Sequence, residues 1–121
     1  MILVDTSVWV DHLRNGNDAL AELLLKNRVA CHPMVIGELA CGNLKRRKEL
    51  LALLHALPTT ERVSDDEILF FIEQHRLGGR GLGLVDIHLL ASCVLSQTPL
   101  WTLDSRLQQA ADDITKNEGE R

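Results

Sequence analysis

Apolar and polar positions alternate along this chain between two periods. Residues 1–4 form a short continuous apolar run, the pattern of a strand buried on both faces, and Asp5 cuts it off. Thr6 or Ser7 is placed to cap a helix over 8–15, with Gly16 as its stop signal. Leu20, Leu23 and Leu24 share one face of a second helix over 18–26, and 29–32 reads as a second short strand. Pro33 suits a first helical turn and opens a helix reaching about residue 43. Leucines at 50, 51, 53, 54 and 57 predict a helix over 45–57, closed by Pro58. Ser64 with Glu67 forms a capping box for a helix running to about residue 77. A glycine-rich turn at 78–83 leads into a helix over 84–95, a third strand over 99–102, and a last helix capped by Ser105 with Gln108 at the capping-box position. Strands alternating with helices predict an α/β fold with a mostly parallel sheet.

The chain has 121 residues, a length that encloses one core, so a single domain over 1–121 is expected, with a polar, fraying tail at about 113–121. Apolar residues make up 45%, which excludes a disordered chain, while aromatics make up only 3%. The core is therefore aliphatic, and a stacking platform for single-stranded nucleic acid is not expected. No apolar run is long enough to span a bilayer, so no membrane partner is expected, and the first residues lack the positive region of a signal peptide. Three cysteines without motif spacing read as free thiols in a reducing cytoplasm. The formal charge of −4 is no global attraction for nucleic acid, but if four acids form a metal site the remaining acids balance the 13 bases.

Four acids interrupt apolar segments: Asp5 after the first strand, Glu38 within Met34–Ala40, Asp86 within Gly83–Ala91, and Asp104 after the third strand. An unpaired buried carboxylate is costly, and no Lys or Arg lies in the immediate apolar surroundings of Asp5, Glu38 or Asp86, so a cation from solution is the natural partner. In open α/β sheets the ligand crevice lies beyond the carboxyl ends of the strands, where Asp5 and Asp104 fall, and Glu38 and Asp86 are expected in first helical turns facing it. Oxygen-only ligation selects Mg²⁺ or Mn²⁺. Taken singly, Asp5 reads equally as a helix cap, Asp104 as a turn residue, Asp86 as an acid favoured by a helix dipole, and Glu38 as a surface residue. It is their conjunction that points to chemistry.

The segments carrying these acids resemble a known family. Ile2-Leu3-Val4-Asp5-Thr6-Ser7-Val8-Trp9 looks like the start of a PIN domain. Gly37-Glu38-Leu39 resembles its second acidic motif, Asp86-Ile87-His88-Leu89-Leu90-Ala91-Ser92 its third, and Leu100-Trp101-Thr102-Leu103-Asp104-Ser105-Arg106-Leu107 its fourth. All four occur in order over roughly residues 1–110. The resemblance implies a PIN-like three-layer α/β/α sandwich around a central, mostly parallel sheet. It also implies a VapC-like toxin of a VapBC toxin–antitoxin pair: an endoribonuclease cutting tRNA or ribosomal RNA, held inactive by a cognate VapB-like antitoxin, and commonly a homodimer. Asp5, Glu38, Asp86 and Asp104 would then be the catalytic residues and the ligands of one or two Mg²⁺ or Mn²⁺ ions. Thr6 or Thr102 would support a ligand carboxylate or water, with local backbone bonding as the plainer alternative. Two departures from the family stand out: a further strand after the last helix is doubtful here, and 78–83 is unusually rich in glycine.

Lys45, Arg46, Arg47 and Lys48 form the densest basic run, able to meet RNA phosphates with help from Arg76, Arg80 or Arg106, or simply to face water. The glycines at 79, 81 and 83 follow a helix rather than a strand, which excludes a dinucleotide loop. Cys31, His32 and Cys41 match no zinc spacing, His88 is assigned to packing or solvent, and Ser7 lacks the elbow of a catalytic serine. Rival functions are an RNA-processing or DNA-directed PIN-like nuclease and a PIN-like module that binds without catalysis. A phosphoacceptor receiver domain would want a second acid beside Asp5, where Thr6 stands.

Overall fold

The computed structural model describes residues 1–119. Its centre is β1 (Ile2–Val4), flanked by β2 (Val29–Ala30) and β3 (Leu100–Trp101), all parallel, in the order β2-β1-β3. Ile2 pairs with Val29 and Leu3 with Ala30 on one side; Leu3 pairs with Leu100 and Val4 with Trp101 on the other. Leu3 and Val4 are fully buried, as a central strand with no polar face requires. The outer strands are shorter than the sequence pattern suggests. A bridge between Cys31 and Thr59 continues the β2 edge by one pair, and no strand follows the last helix among the described residues.

Among the described residues seven helices accompany the sheet: α1 (Thr6–Asn15), α2 (Asp18–Leu25), α3 (Pro33–Ala40), α4 (Arg47–Ala56), α5 (Asp65–Gln74), α6 (Leu84–Ser96) and α7 (Ser105–Gly119). Together with the sheet they form an α/β/α sandwich. Helix α5 starts at the expected capping box, with Ser64 accepting from the Glu67 amide and Glu67 returning a bond to the Ser64 amide. Helix α3 stops at Ala40, short of the expected end near 43. Arg47 donates to the carbonyls of Ala40 at 2.6 Å and Gly42 at 3.3 Å, closing the helix there. Helix α7 runs through the segment expected to be a polar tail, because Ile114 packs inward with only 4% exposure. The expected tail's last two residues, Glu120 and Arg121, lie outside the described residues.

The described residues pack into two hydrophobic clusters, mostly aliphatic, with Trp9 in one and Phe71 in the other. One gathers Leu3, Val4, Val8, Trp9, Val35 and Leu54 around β1; the other gathers Ile68, Phe71, Leu90, Leu107 and Ile114 between α5, α6 and α7. Helix α6 serves both, with Leu89 in the first and Ile87 and Leu90 in the second. This explains why 87–93 carry no exposed face, and why His88 and Ser92 are buried with their apolar neighbours. His88 is thus a packed residue, in line with its assignment from sequence. Ser92 satisfies its hydroxyl on the Glu61 carbonyl.

A carboxylate site at the carboxyl end of the sheet

Strands β1 and β3 end side by side, and the chain leaves each through a hydroxyl-rich turn into a helix. The Asp5 amide bonds to the Trp101 carbonyl at 2.9 Å, so the last ladder bond of the sheet holds Asp5 in place. Its side chain, on a residue only 5% exposed, accepts three hydrogen bonds. Oδ1 takes the Thr6 amide at 2.7 Å, and Oδ2 takes the hydroxyls of Ser7 at 2.8 Å and Thr102 at 2.7 Å. Asp5 itself is therefore the cap of α1, the structural role the sequence left open for it, and neither Thr6 nor Ser7 takes that place. Likewise Asp104, not Ser105, caps α7, its Oδ1 accepting from the amides of Arg106 at 2.9 Å and Leu107 at 3.2 Å. An acid immediately before the hydroxyl residue reaches the free amides of the first turn better, and its charge suits the helix dipole.

Glu38 lies in the second turn of α3, not the first, and is exposed. It is tied to the strand-end turn by the Thr6 hydroxyl, which donates to Oε1 at 2.7 Å. Asp86 is the third residue of α6, as expected for a first turn, and its Oδ2 accepts the Gly83 amide at 3.0 Å. Burial holds the Asp86 carboxyl above its ordinary range, the Gly83 amide pulls it back, and the charges of Asp5 and Asp104 push it up further. That mutual repulsion places Asp86, Asp5 and Asp104 in one electrostatic neighbourhood, and the Thr6 bond brings Glu38 to its rim.

A shared feature of the four carboxylates bears on whether they suit a cation. Glu38, Asp86 and Asp104 are each anchored through a single oxygen, leaving the other without a partner among the described residues. Asp5 keeps spare capacity at Oδ1, which has one donor. None of the four forms an ion pair with Lys or Arg among the described residues. A set of oxygen donors, fixed at one end and open at the other, fits a hard divalent ion. The fit is in donor chemistry and orientation; no three acid, His or Cys side chains are drawn tightly together among the described residues.

Thr102 is 7% exposed and links two of the acids: its hydroxyl donates to Asp5 and accepts the Asp104 amide at 3.0 Å. Ser7, which the sequence offers as a helix cap and excludes as a catalytic serine, supports Asp5 instead. Its hydroxyl donates to Asp5 and accepts the Leu103 amide at 3.0 Å, fastening the β3 turn to α1. The signal available was a hydroxyl two residues after a strand-end acid, where the first turn of a helix brings it back onto that acid's carboxylate.

The basic candidates divide. Arg47 is engaged with the end of α3, and Arg80 pairs with Asp113 at 2.8 Å. Arg46 extends into solvent with only a 3.9 Å approach to Glu49. Lys45 lines a groove of about 450 Å³ that it shares with Thr6, Val10, Glu38, Leu39 and Leu50, so it stands on the same rim as Glu38.

Residues 2–113 match the PIN domain family, and the chain belongs to that family. Its relatives include Ribonuclease VapC32 of Mycobacterium tuberculosis, in strains CDC 1551 / Oshkosh and ATCC 25618 / H37Rv. The identity is 50% over 111 residues, covering 91% of this chain and 90% of each relative. Among solved structures, the crystal structure of PAE2754 from Pyrobaculum aerophilum has a TM-score of 0.63 at 16% identity, over 99% of this chain and 96% of that one. That likeness carries the fold alone, and it agrees with the α/β/α sandwich described above.

Proposed function

We propose that this protein is the toxin of a VapBC-type pair, a divalent-metal-dependent endoribonuclease that hydrolyses RNA phosphodiester bonds. The observation that carries the proposal is the set of four anchored but unpaired carboxylates at the end of a PIN-type sheet, in a chain half identical to a named ribonuclease. Asp5, Glu38, Asp86 and Asp104 would hold Mg²⁺, or Mn²⁺ in its place. Such an ion offsets phosphate charge and acidifies water in an in-line displacement.

The protein's own part is positional. Thr102 and Ser7 fix the rotamer of Asp5 from one side while the Thr6 amide fixes it from the other. Thr6 holds Glu38, and the Gly83 amide holds Asp86. One of the four carboxylates accepts the proton of the attacking water, and the burial around Asp5 limits competing solvent. No covalent enzyme intermediate is involved. Exposed Lys45 and Arg46 meet RNA phosphates beside the Glu38 rim; Arg47 and Arg80 contribute less, since their guanidinium groups are already engaged. The substrates are tRNA or ribosomal RNA. A cognate VapB-like antitoxin restrains the enzyme, which works as a homodimer, and exposed Leu53, Leu69 and Phe70 offer apolar surface for such contacts. Three free cysteines, two of them buried, suit a reducing cytoplasm, and no helix among the described residues is long and apolar enough to cross a membrane.

The test is cleavage of total tRNA and ribosomal RNA by purified, antitoxin-free protein with Mg²⁺ or Mn²⁺, against EDTA and against Asp5→Asn. Cleavage is expected to need the metal and to vanish in a variant that still melts cooperatively. Activity surviving both EDTA and the substitution would refute the four-carboxylate site. Folded protein that neither cleaves RNA nor binds Mn²⁺ would refute the enzyme.

A further inference from the structure

Arg106 occupies a position that folding alone does not explain. It is the second residue of α7, where a cation opposes the positive end of the helix dipole. It is exposed, and among the described residues it forms no ion pair, although its own backbone amide bonds to Asp104. The neighbouring cation in the glycine loop, Arg80, does find a carboxylate, in Asp113. Arg106 is instead laid across Gly81. A β-carbon at Gly81 would lie 2.6 Å from Nη1 and 3.3 Å from Cζ of Arg106, and Gly81 has a φ of 78°, which only glycine adopts readily. Two residues on, the Gly83 amide holds Asp86. The guanidinium thus lies between the turn that carries Asp104 and the loop that leads to Asp86, seated by a glycine and left unneutralised.

We infer that Arg106 is a substrate-binding residue, and that its guanidinium grips a backbone phosphate of the RNA beside the carboxylate site, with Gly81 as its seat. The inference rests on the nuclease function proposed above. A planar fork binds phosphate through two parallel hydrogen bonds, and a cation kept free of carboxylates loses no internal partner when it does so. The four acids make the site hostile to an anionic substrate, and a fixed cation at its edge offsets that repulsion where the chain enters. The same geometry bears on one glycine of 78–83: at position 81 a side chain would fill the seat.

The experiment measures binding of a fluorescein-labelled tRNA pool by anisotropy, with Ca²⁺ in place of Mg²⁺ to hold cleavage back, over a range of salt concentrations. Cleavage kinetics and Mn²⁺ binding are followed on the same proteins. Arg106→Ala is expected to weaken RNA binding about tenfold to a hundredfold and to reduce the slope of log affinity against log salt by about 0.7–0.9, the loss of one phosphate contact. KM should rise with kcat little changed, and Mn²⁺ binding and melting should stay at wild-type values. Arg106→Lys should recover the salt slope but only part of the affinity. Gly81→Ala also strains the backbone at a φ of 78°, so it is read only where its melting and Mn²⁺ binding match wild type; there it should weaken RNA binding as Arg106→Ala does, and the double variant should bind no worse than Arg106→Ala alone, since both remove one seated contact. An Arg106→Ala protein with wild-type affinity and salt slope would overturn the inference, as would full additivity of the two substitutions or a collapse of melting in Arg106→Ala. If the wild-type protein itself neither binds nor cuts RNA, the proposed function falls first and the inference with it.

Discussion

Replacing Thr102 with valine removes one hydroxyl and adds a methyl of similar volume, so it probes hydrogen bonding almost alone. Two bonds disappear. One is a 2.7 Å donation to the Asp5 carboxylate; the other is the acceptance of the Asp104 amide at 3.0 Å. A bond to a charged group contributes about 1.5–3 kcal/mol, and an ordinary one about 1 kcal/mol. Ser7 offsets part of the loss, because its hydroxyl lies 3.3 Å from that of Thr102 and already bonds Asp5 Oδ2. The net destabilisation should be about 2 kcal/mol, or about 6–10 °C in melting temperature for a chain of this size. Catalysis should suffer more than folding at assay temperature. If Asp5 holds the ion as proposed, loosening its support typically costs about tenfold to a hundredfold in metal affinity or activity, so kcat/KM on RNA should fall by that factor. Calorimetry with a titration of Mn²⁺ and an RNA cleavage assay would measure both. A Thr102→Val protein that melts within about 1 °C of wild type and cleaves at full rate would refute the assignment of Thr102 as the support of Asp5, at the size of the charged bond it loses.

Three further outcomes follow from the fold. His32 is fully buried, and burial first, then the nearby His88 and Arg62 charges, push its pKa down from 6.5 to about 4. Its proton is therefore taken up by the unfolded chain first, so stability should fall as pH drops from about 6.5 to about 4 and level off below. His32→Asn keeps an acceptor for the Met34 amide and should flatten that limb in melting curves against pH; an unchanged limb would refute the assignment. Arg47→Ala should lower the urea midpoint by the equivalent of about 1 kcal/mol through the lost closure of α3, while RNA cleavage stays near wild type. A large loss of RNA affinity instead would restore Arg47 to the substrate surface. Leu54→Ala, at a fully buried position of the first cluster, should cost about 2–5 kcal/mol in urea denaturation with the slope unchanged.

The architecture was legible because burial leaves a periodic mark. The unbroken run ending at Val4, the leucines of α2 and α4, and the Ser64–Glu67 box each fix an element by local rules, and the structure places each one close to where those rules put it. Errors fell at element ends, where the deciding bond is made at a distance. Helix α3 stops at Ala40 because Arg47, seven residues later, reaches its carbonyls, and α7 continues past 113 because Ile114 finds a pocket against the second cluster. Neither event has a signature in the local pattern.

The site shows the same division, with one difference. From the sequence Asp5 reads as a helix cap or a functional acid, and Asp104 as a turn residue or a functional acid, as though the roles excluded one another. In the structure each caps its helix through one oxygen, and that bond is what holds the rest of the carboxylate in a set direction. For these two residues the capping bond supplies the rigidity that a ligand would otherwise have to impose, so finding a cap is no evidence against function. Ser7 makes the point from the other side. It joins the α1 start to the β3 turn through Asp5 and Leu103, a contact spanning 96 residues of sequence, and no local pattern could reveal it. What the sequence does carry is the hydroxyl itself, placed two residues after a strand-end acid. An acid–hydroxyl pair at the carboxyl end of a parallel strand is therefore worth testing as a single unit, in which the acid faces the ligand and the hydroxyl keeps it there.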